Sequence, residues 1–526
     1  MGEGWARLFG HGPAQERTDG PAILAPARAL VDALCDPLRQ RRTALAVVAV
    51  YALAWFLYGL IAKSSQDLNA DMAEMAIWAL EPALSYPKHP PFLAWVVTLW
   101  FWIFPHADWA FLLLAVLSMA TGLYLAFVLA GEWLTGEKRA AALFLLALVP
   151  FYNFLALKFD HNSALIPLWA FTILAVLRSL ETRALGWALL AGLAALAAVL
   201  TKYWSVFLLL ALALAAVTHP RRRAFFTSPA PWITAAVVLV GFVPHLLGLI
   251  ADDFASLKFA AARRHSDTLI DALRALGEYA GGTAAYSAPA LVLALLFTRP
   301  SIAAVRDNLF PRDTRRTAAI IFWTPILVPI VLAFATRTSL LSLFNMGALS
   351  LLPVILLGSP QAVLTREALA RMALVVISVT GLIVLVSPVI AAVIHMRGVE
   401  NNAAYARHVG QEVARVWHAQ TGTPLRLIAG PFTLVNSAAF YLPERPRTFA
   451  DFSPYLAPWA TPERIAREGM AMVCPVIDAH CVKVMRERLG PARQDDTTEI
   501  ALTRSWLGIE NRPARFLIGI IPPRKP

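Results

Sequence analysis

From residue 43 to about residue 395 the chain alternates long apolar stretches with short polar breaks, and beyond that point the pattern stops. Runs such as 43–62 and 231–251 reach the roughly 20 residues that a helix needs to cross a bilayer core. They are continuously apolar rather than alternating, which predicts helices and not a barrel. Runs near 43–62, 109–130, 140–157, 163–178, 185–200, 203–217, 231–251, 282–297, 318–336, 341–358 and 372–394 predict about eleven spans. The apolar run 91–104 is left out of that set. Its fourteen residues reach about 21 Å, against a core of about 30 Å. Pro90, Pro91 and Pro105 fence it, and Trp95, Trp100 and Trp102 favour the interface. It is predicted to lie on the outer surface.

The flanks read differently. Residues 1–42 form a polar, Pro- and Gly-dotted tail, read as disordered with a short surface helix near 23–38 and without a signal peptide. Residues 396–526 predict a small soluble α/β or α+β domain. Its helix lies at 401–421, and its strands at 425–429, 470–476, 499–505 and 515–521. The fold class is therefore mainly α: a polytopic membrane helix bundle at 43–395 followed by a soluble α/β domain.

Composition supports this reading. Of 526 residues 58% are hydrophobic and 15% charged, against about 25% charged in soluble chains. The net charge of +12 is explained by loop lysines and arginines that stay inside the cell. No aromatic–basic interleaving suggests nucleic acid. With 91–104 outside the bilayer, the inside loops and tail hold 20 Lys and Arg and the outside loops hold 9. That asymmetry predicts a multi-pass inner-membrane (plasma-membrane) protein with a cytoplasmic N-terminus and a periplasmic C-terminal domain. Cys474 and Cys481 then lie outside the cytoplasm, where a thiol pair points to a disulfide.

The same orientation gathers the candidate chemistry on the outer face. The loop 63–108 is the most informative segment. Asp71 and Glu74 share a helix face. Asp71 reads either as a helix cap or as a carboxylate poised to take a proton from a hydroxyl. Lys88-His89-Pro90-Pro91 closes the loop. Asp160-His161-Asn162 between two spans reads as a solvated turn or as part of an acidic pocket. Lys202-Tyr203 reads as a snorkelling lysine or as a phosphate contact. Arg263-Arg264-His265 breaks the positive-inside trend, and a lipid phosphate is the partner that explains it. There is no Walker-type loop, dinucleotide fingerprint, acidic metal cluster or internal repeat, and no charge strung through the span centres. A lipid or glycan transporter and a non-catalytic membrane scaffold are the competing classes; the first predicts intramembrane charges.

Four of these motifs occur in one register. Asp71 eighteen residues before His89-Pro90-Pro91, Asp160 opening a span, Leu200-Thr201-Lys202-Tyr203 after Gly192-Leu193-Ala194, and 252–259 followed by Arg263 to His265 resemble the membrane glycosyltransferases of the C-type fold. The likeness is to the bacterial branch of the protein-O-mannosyltransferase-like family, glycosyltransferase family 39 and relatives. That branch includes the rhizobial lipopolysaccharide galacturonosyltransferases and, more distantly, the aminoarabinose transferases acting on lipid A. It covers about residues 43–300. Met72 stands where the family has Glu, and Pro87-Lys88 replaces a commoner Tyr-Asp.

The resemblance implies a polyprenyl-phosphate sugar as donor, with inversion, and as acceptor a hydroxyl of a lipid, lipopolysaccharide or other envelope acceptor, glycan or protein. It implies Asp71 as base, and Lys202, Arg263 and Arg264 at the leaving phosphate. Asp160 would orient a hydroxyl. Lys88 and His89, with Glu74, His161, Tyr203 and His265 around them, would contact substrate. No cofactor is implied, and a divalent ion bridging Asp71 and Asp160 is left open.

Overall fold

The computed structural model describes residues 24–261, 268–397, 405–491, 493 and 496–524. The predicted disordered tail up to residue 23, and Arg263, Arg264 and His265, lie outside the described residues.

Seventeen helices make up the membrane part among the described residues. They begin with α1 (Ala25–Cys35), α2 (Gln40–Ala62), α3 (Ala70–Trp78), α4 (Phe92–Ile103), α5 (Asp108–Ala130) and α6 (Gly136–Ala147). Next come α7 (Leu165–Thr182), α8 (Leu185–Thr201), α9 (Val206–Thr218), α10 (Arg222–Phe226), α11 (Ala230–Ala251) and α12 (Ala255–Ala261). The last are α13 (Leu269–Thr298), α14 (Ile302–Leu309), α15 (Arg315–Thr336), α16 (Leu352–Leu357) and α17 (Arg366–Met396). Seven of them, α2, α5, α7, α11, α13, α15 and α17, are long and apolar enough to cross a membrane. The chain is a multi-pass membrane protein.

The other predicted spans exist as shorter or broken elements. The 140–157 run bends by 84° between α6 and the turns that begin at Pro150, because Pro150 offers no N–H to continue a ladder. The carbonyl of Ala147 at the break accepts from the Tyr51 hydroxyl at 2.5 Å and from Asn153 Nδ2 at 3.0 Å, so this carbonyl is not stranded. The 185–200 and 203–217 runs are α8 and α9, of 17 and 13 residues, each shorter than the roughly 20 residues that cross a bilayer core. The 341–358 run is two 3-10 turns (Ser342–Asn345 and Ala348–Leu351) and α16. The 91–104 run is α4, only twelve residues long.

The helix near the N-terminus differs from expectation. α1 does not lie free on a surface: Ala27, Val31 and Leu34, at 3–4-residue spacing, are buried in the bundle. Arg28 Nε pairs with Glu367 of α17 at 2.9 Å.

The C-terminal domain contains α18 (Ala406–Thr421), β1 (Leu427–Gly430), α19 (Phe432–Tyr441), β2 (Arg447–Ala450), α20 (Pro462–Glu468) and β3 (Met470–Pro475). It continues with α21 (Ala479–Leu489), β4 (Thr497–Leu502), β5 (Ser505–Trp506), β6 (Ile509–Glu510) and β7 (Ala514–Ile521). The main sheet has the order β2-β1-β3-β7-β4, parallel at β2-β1-β3 and antiparallel at β3-β7-β4. β3 reads MAMVCP because both its faces are covered. Ala471 and Val473 face a core with α18 and α19, and Met470, Met472 and Cys474 face one with α21. Gly469, at φ 73°, joins α20 to β3; a Cβ there would meet the Trp417 ring at 2.6 Å. Cys474 and Cys481 form a disulfide between β3 and α21.

α3 links the two parts. Met72, Ala76 and Trp78 join a core with α4 and α5, while Ile77 enters the core of the C-terminal domain. α19 lies along α3, with Ser437 Oγ donating to the Leu68 carbonyl at 2.8 Å. Beside it, Arg504 Nη1 pairs with Asp67 at 3.0 Å, the two side chains 9% and 2% exposed. The Arg407 N–H donates to the same carboxylate at 2.9 Å. Asp67→Ala leaves a buried guanidinium without its carboxylate, at a cost of about 3–5 kcal/mol. Thermal unfolding in detergent should show the loss, and limited proteolysis should release the C-terminal domain earlier.

Candidate active site

Asp71 sits at the second position of α3. The helix is capped by Asn69, whose side chain accepts from the Asp71 N–H at 3.0 Å. The capping role considered for Asp71 therefore belongs to Asn69. The Asp71 carboxylate, 46% exposed, receives a hydrogen bond from Lys158 Nζ. Lys158 Nζ also lies 3.6 Å from Asp160 Oδ2. Burial lowers the Lys158 pKa, but Asp160 and Asp71 more than offset this and raise it. The position between the two carboxylates, where a bridging ion was left open, is taken by the protein's own ammonium. Among the described residues no group of three His, Cys, Asp or Glu gathers to hold a metal.

Lys158 escaped the sequence reading. The bend after Ala147 brings it here. Its one linear signal is a Lys two residues before Asp160 at the end of an apolar run.

The Asp160 carboxylate is shared between a turn and a lysine. Its Oδ1 accepts from the N–H groups of Asn162 and Ser163 at 2.8 and 2.9 Å, shaping the turn into α7, while its Oδ2 faces Lys158. Lys202 Nζ donates to Asn162 Oδ1 and stands 3.6 Å from the centre of the Phe344 ring. Lys202 occupies the extended break between α8 and the 3-10 turn at Tyr203. It is buried, so it does not snorkel. The Tyr203 hydroxyl contacts His245 Nε2 at 2.9 Å and Ser256 Oγ at 2.7 Å.

Glu74 shares the helix that carries Asp71 but not its exposure. It is buried and pairs with Lys88 at 2.8 Å, the side chains 9% and 14% exposed. Lys88 Nζ also lies 3.7 Å from the centre of the Phe432 ring, at the start of α19. His89 packs against His161 with ring centres 3.9 Å apart and the ring planes tilted by 31°. Burial, and then Lys202 and Lys88, push His161 well below the usual imidazole range, and its Nε2 has no hydrogen-bond partner.

Burial raises Glu74 to about 7, against the pull of Lys88 and with a push from Asp71 and Asp451. The sign follows from linkage. The folded state holds this proton more tightly than the unfolded chain does. The contribution is complete below the ordinary value near 4.3 and is lost as pH rises through about 7, on the order of 3 kcal/mol in all. Melting temperatures should fall more steeply between pH 5 and 8 for the native chain than for Glu74→Gln.

A cavity of about 340 Å³ opens beside these groups. Lys88, His89, Lys202 and Tyr203 line its polar end. The rest of its lining is mainly apolar, from α9 (Val206, Phe207), α15 (Pro329, Leu332, Ala333) and the end of α12, with Thr338 and Ser339 beside them. Asp71 and Asp160 do not line the cavity; the chain of contacts Asp71–Lys158–Asp160–Asn162–Lys202 connects them to it.

A helical membrane bundle with its polar residues gathered under a small α/β domain defines the class: the C-type membrane glycosyltransferase fold. Two solved structures share it. ArnT from Cupriavidus metallidurans in the apo state has a TM-score of 0.58, and ArnT from the same organism bound to undecaprenyl phosphate has 0.57. Each is 15% identical over 89% of this chain, with 96% and 97% of those chains covered. Residues 88–247 match the family model described as dolichyl-phosphate-mannose-protein mannosyltransferase. The matched segment includes Lys88, His89, Asp160, His161, Lys202 and Tyr203 and begins after Asp71. No curated protein matches the sequence. The resemblance seen in the motifs thus holds for the family model and for the fold.

Proposed function

We propose that the protein is a glycosyltransferase that moves a sugar from a polyprenyl phosphate to a hydroxyl of an envelope lipid or glycan, at the periplasmic face of the inner membrane. The observation that carries this reading is the cavity: two lysines at one end and apolar walls from α9 and α15 at the other. That polarity matches a phosphate attached to a long hydrocarbon tail. A soluble nucleotide sugar would have no use for the apolar walls. One neighbour in fold was solved with undecaprenyl phosphate, which supports the choice of lipid.

The steps balance as a single displacement. The Asp71 carboxylate takes the proton of the acceptor hydroxyl. The acceptor oxygen forms a bond to the anomeric carbon from the side opposite the phosphate. The bond from that carbon to the phosphate oxygen breaks, and the polyprenyl phosphate leaves with its charge met by Lys202 and Lys88. Lys158 holds the Asp71 carboxylate in place.

The test is mass spectrometry of lipopolysaccharide and envelope lipids from a deletion strain and from the same strain carrying the native gene. A sugar-sized mass that disappears and returns identifies the acceptor. An envelope unchanged in every glycan and lipid would remove this reading in favour of a transporter or scaffold.

A further inference from the structure

We infer that the C-terminal domain supplies part of the phosphate site itself: Phe432 is a positioning residue that holds Lys88 at the polar end of the cavity. The inference rests on the donor reading above and adds to it a residue from outside the membrane bundle.

Lys88 lies in a loop, and a lysine side chain has four rotatable bonds. Two contacts fix it. Glu74 from α3 meets the ammonium at 2.8 Å, and Phe432 offers its ring face at 3.7 Å. Lys88 and Glu74 are both largely withdrawn from water, where a cation–π contact is stronger than on a surface.

The domain in turn builds Phe432 into place. The Phe432 N–H donates to Asp451 Oδ1 at 2.7 Å. Asp451 and Phe452 both have positive φ, 51° and 52°, a conformation that is uncommon outside glycine and most unusual for a bulky ring. Their turn follows β2, so the sheet determines where the start of α19 lies. Asp451 also acts electrostatically on Glu74, which places the turn, α19 and the lysine pair at one junction. α19 then runs along α3, so the element carrying Asp71 and Glu74 is braced by the helix that carries Phe432.

A ring that only filled space at the domain joint would have no reason to lie over the ammonium. A ring that orients the ammonium should matter only while the lysine is present. A double-mutant cycle separates the two.

The experiment uses the full chain in nanodiscs and measures binding of undecaprenyl phosphate by native mass spectrometry, with melting temperature as the folding control. Lys88→Gln should weaken binding by about tenfold or more. Phe432→Leu should weaken it about threefold to tenfold. Phe432→Trp, which keeps a strong ring face, should restore native binding. In the Lys88→Gln background, Phe432→Leu should add no further loss.

A loss from Phe432→Leu of the same size with and without Lys88 would overturn the inference while leaving the donor reading intact. No loss from Phe432→Leu would do the same. Native binding by Lys88→Gln would overturn the placement of the phosphate, and the inference with it. If Phe432→Leu yields no folded protein, Phe432→Met takes its place in the same cycle with the same expectations.

Discussion

Asp71→Asn is expected to reduce sugar transfer by roughly 10²–10⁴-fold, the range for removing a positioned general base, with the protein present at native level. The substitution keeps the shape of the side chain and removes its ability to take a proton. α3 should survive it, since Asn69 caps the helix and the buried face of α3 is untouched. Lys158 keeps Asp160 as its partner. The loss should therefore appear in the rate, with little change in melting temperature. In the deletion strain, Asp71→Asn should leave the missing mass absent from the envelope. Full restoration of the product would remove Asp71 from the base role. Glu74 would not replace it, because its carboxylate is buried against Lys88.

Lys202→Met is expected to lower turnover by roughly 10²–10³-fold, the usual cost of removing one donor aimed at developing charge. Methionine keeps the length and the apolar stem against Phe344 but has no charge to meet the departing phosphate. Asn162 loses its lysine donor and retains the N–H contact to Asp160 that shapes its turn. Single-turnover kinetics with a polyprenyl-phosphate sugar would show the effect in the chemical step. An unchanged rate would move the phosphate away from this end of the cavity.

Much of this protein was legible in one dimension. Twenty apolar residues in a row have no stable place in water, so the seven long spans followed directly from the sequence. Four strands of the C-terminal domain, β1, β3, β4 and β7, were also visible, most clearly at Met470 to Pro475, where a strand covered on both faces is apolar throughout, whereas β2 at Arg447 to Ala450 was not. The candidate site residues from Asp71 to Tyr203 stood out because polar groups at the ends of apolar runs are few.

Other features were invisible because they depend on distance in space. The 84° bend after Ala147 turns an apparent span nearly at a right angle and delivers Lys158 to Asp71, 87 residues away in sequence. No local propensity reveals that pair. Asp71 seemed able to cap its own helix, and only the coordinates show Asn69 in that position with Asp71 turned to a lysine. Glu74 read only as a carboxylate on the same helix face as Asp71. Its burial comes from α3 being enclosed by both the bundle and the C-terminal domain, and burial is what ties it to Lys88 and raises its proton affinity.

The sequence by itself determined which segments leave water and which polar residues stay near them, because hydrophobic transfer is a property of composition along the chain. Tertiary structure alone decided which charges meet, because an ion pair or a cation over a ring exists only at a few ångströms. Asp71 with Lys158, Glu74 with Lys88, and Lys88 with Phe432 each join segments separated along the chain. The last joins the membrane part to a domain more than 300 residues further on.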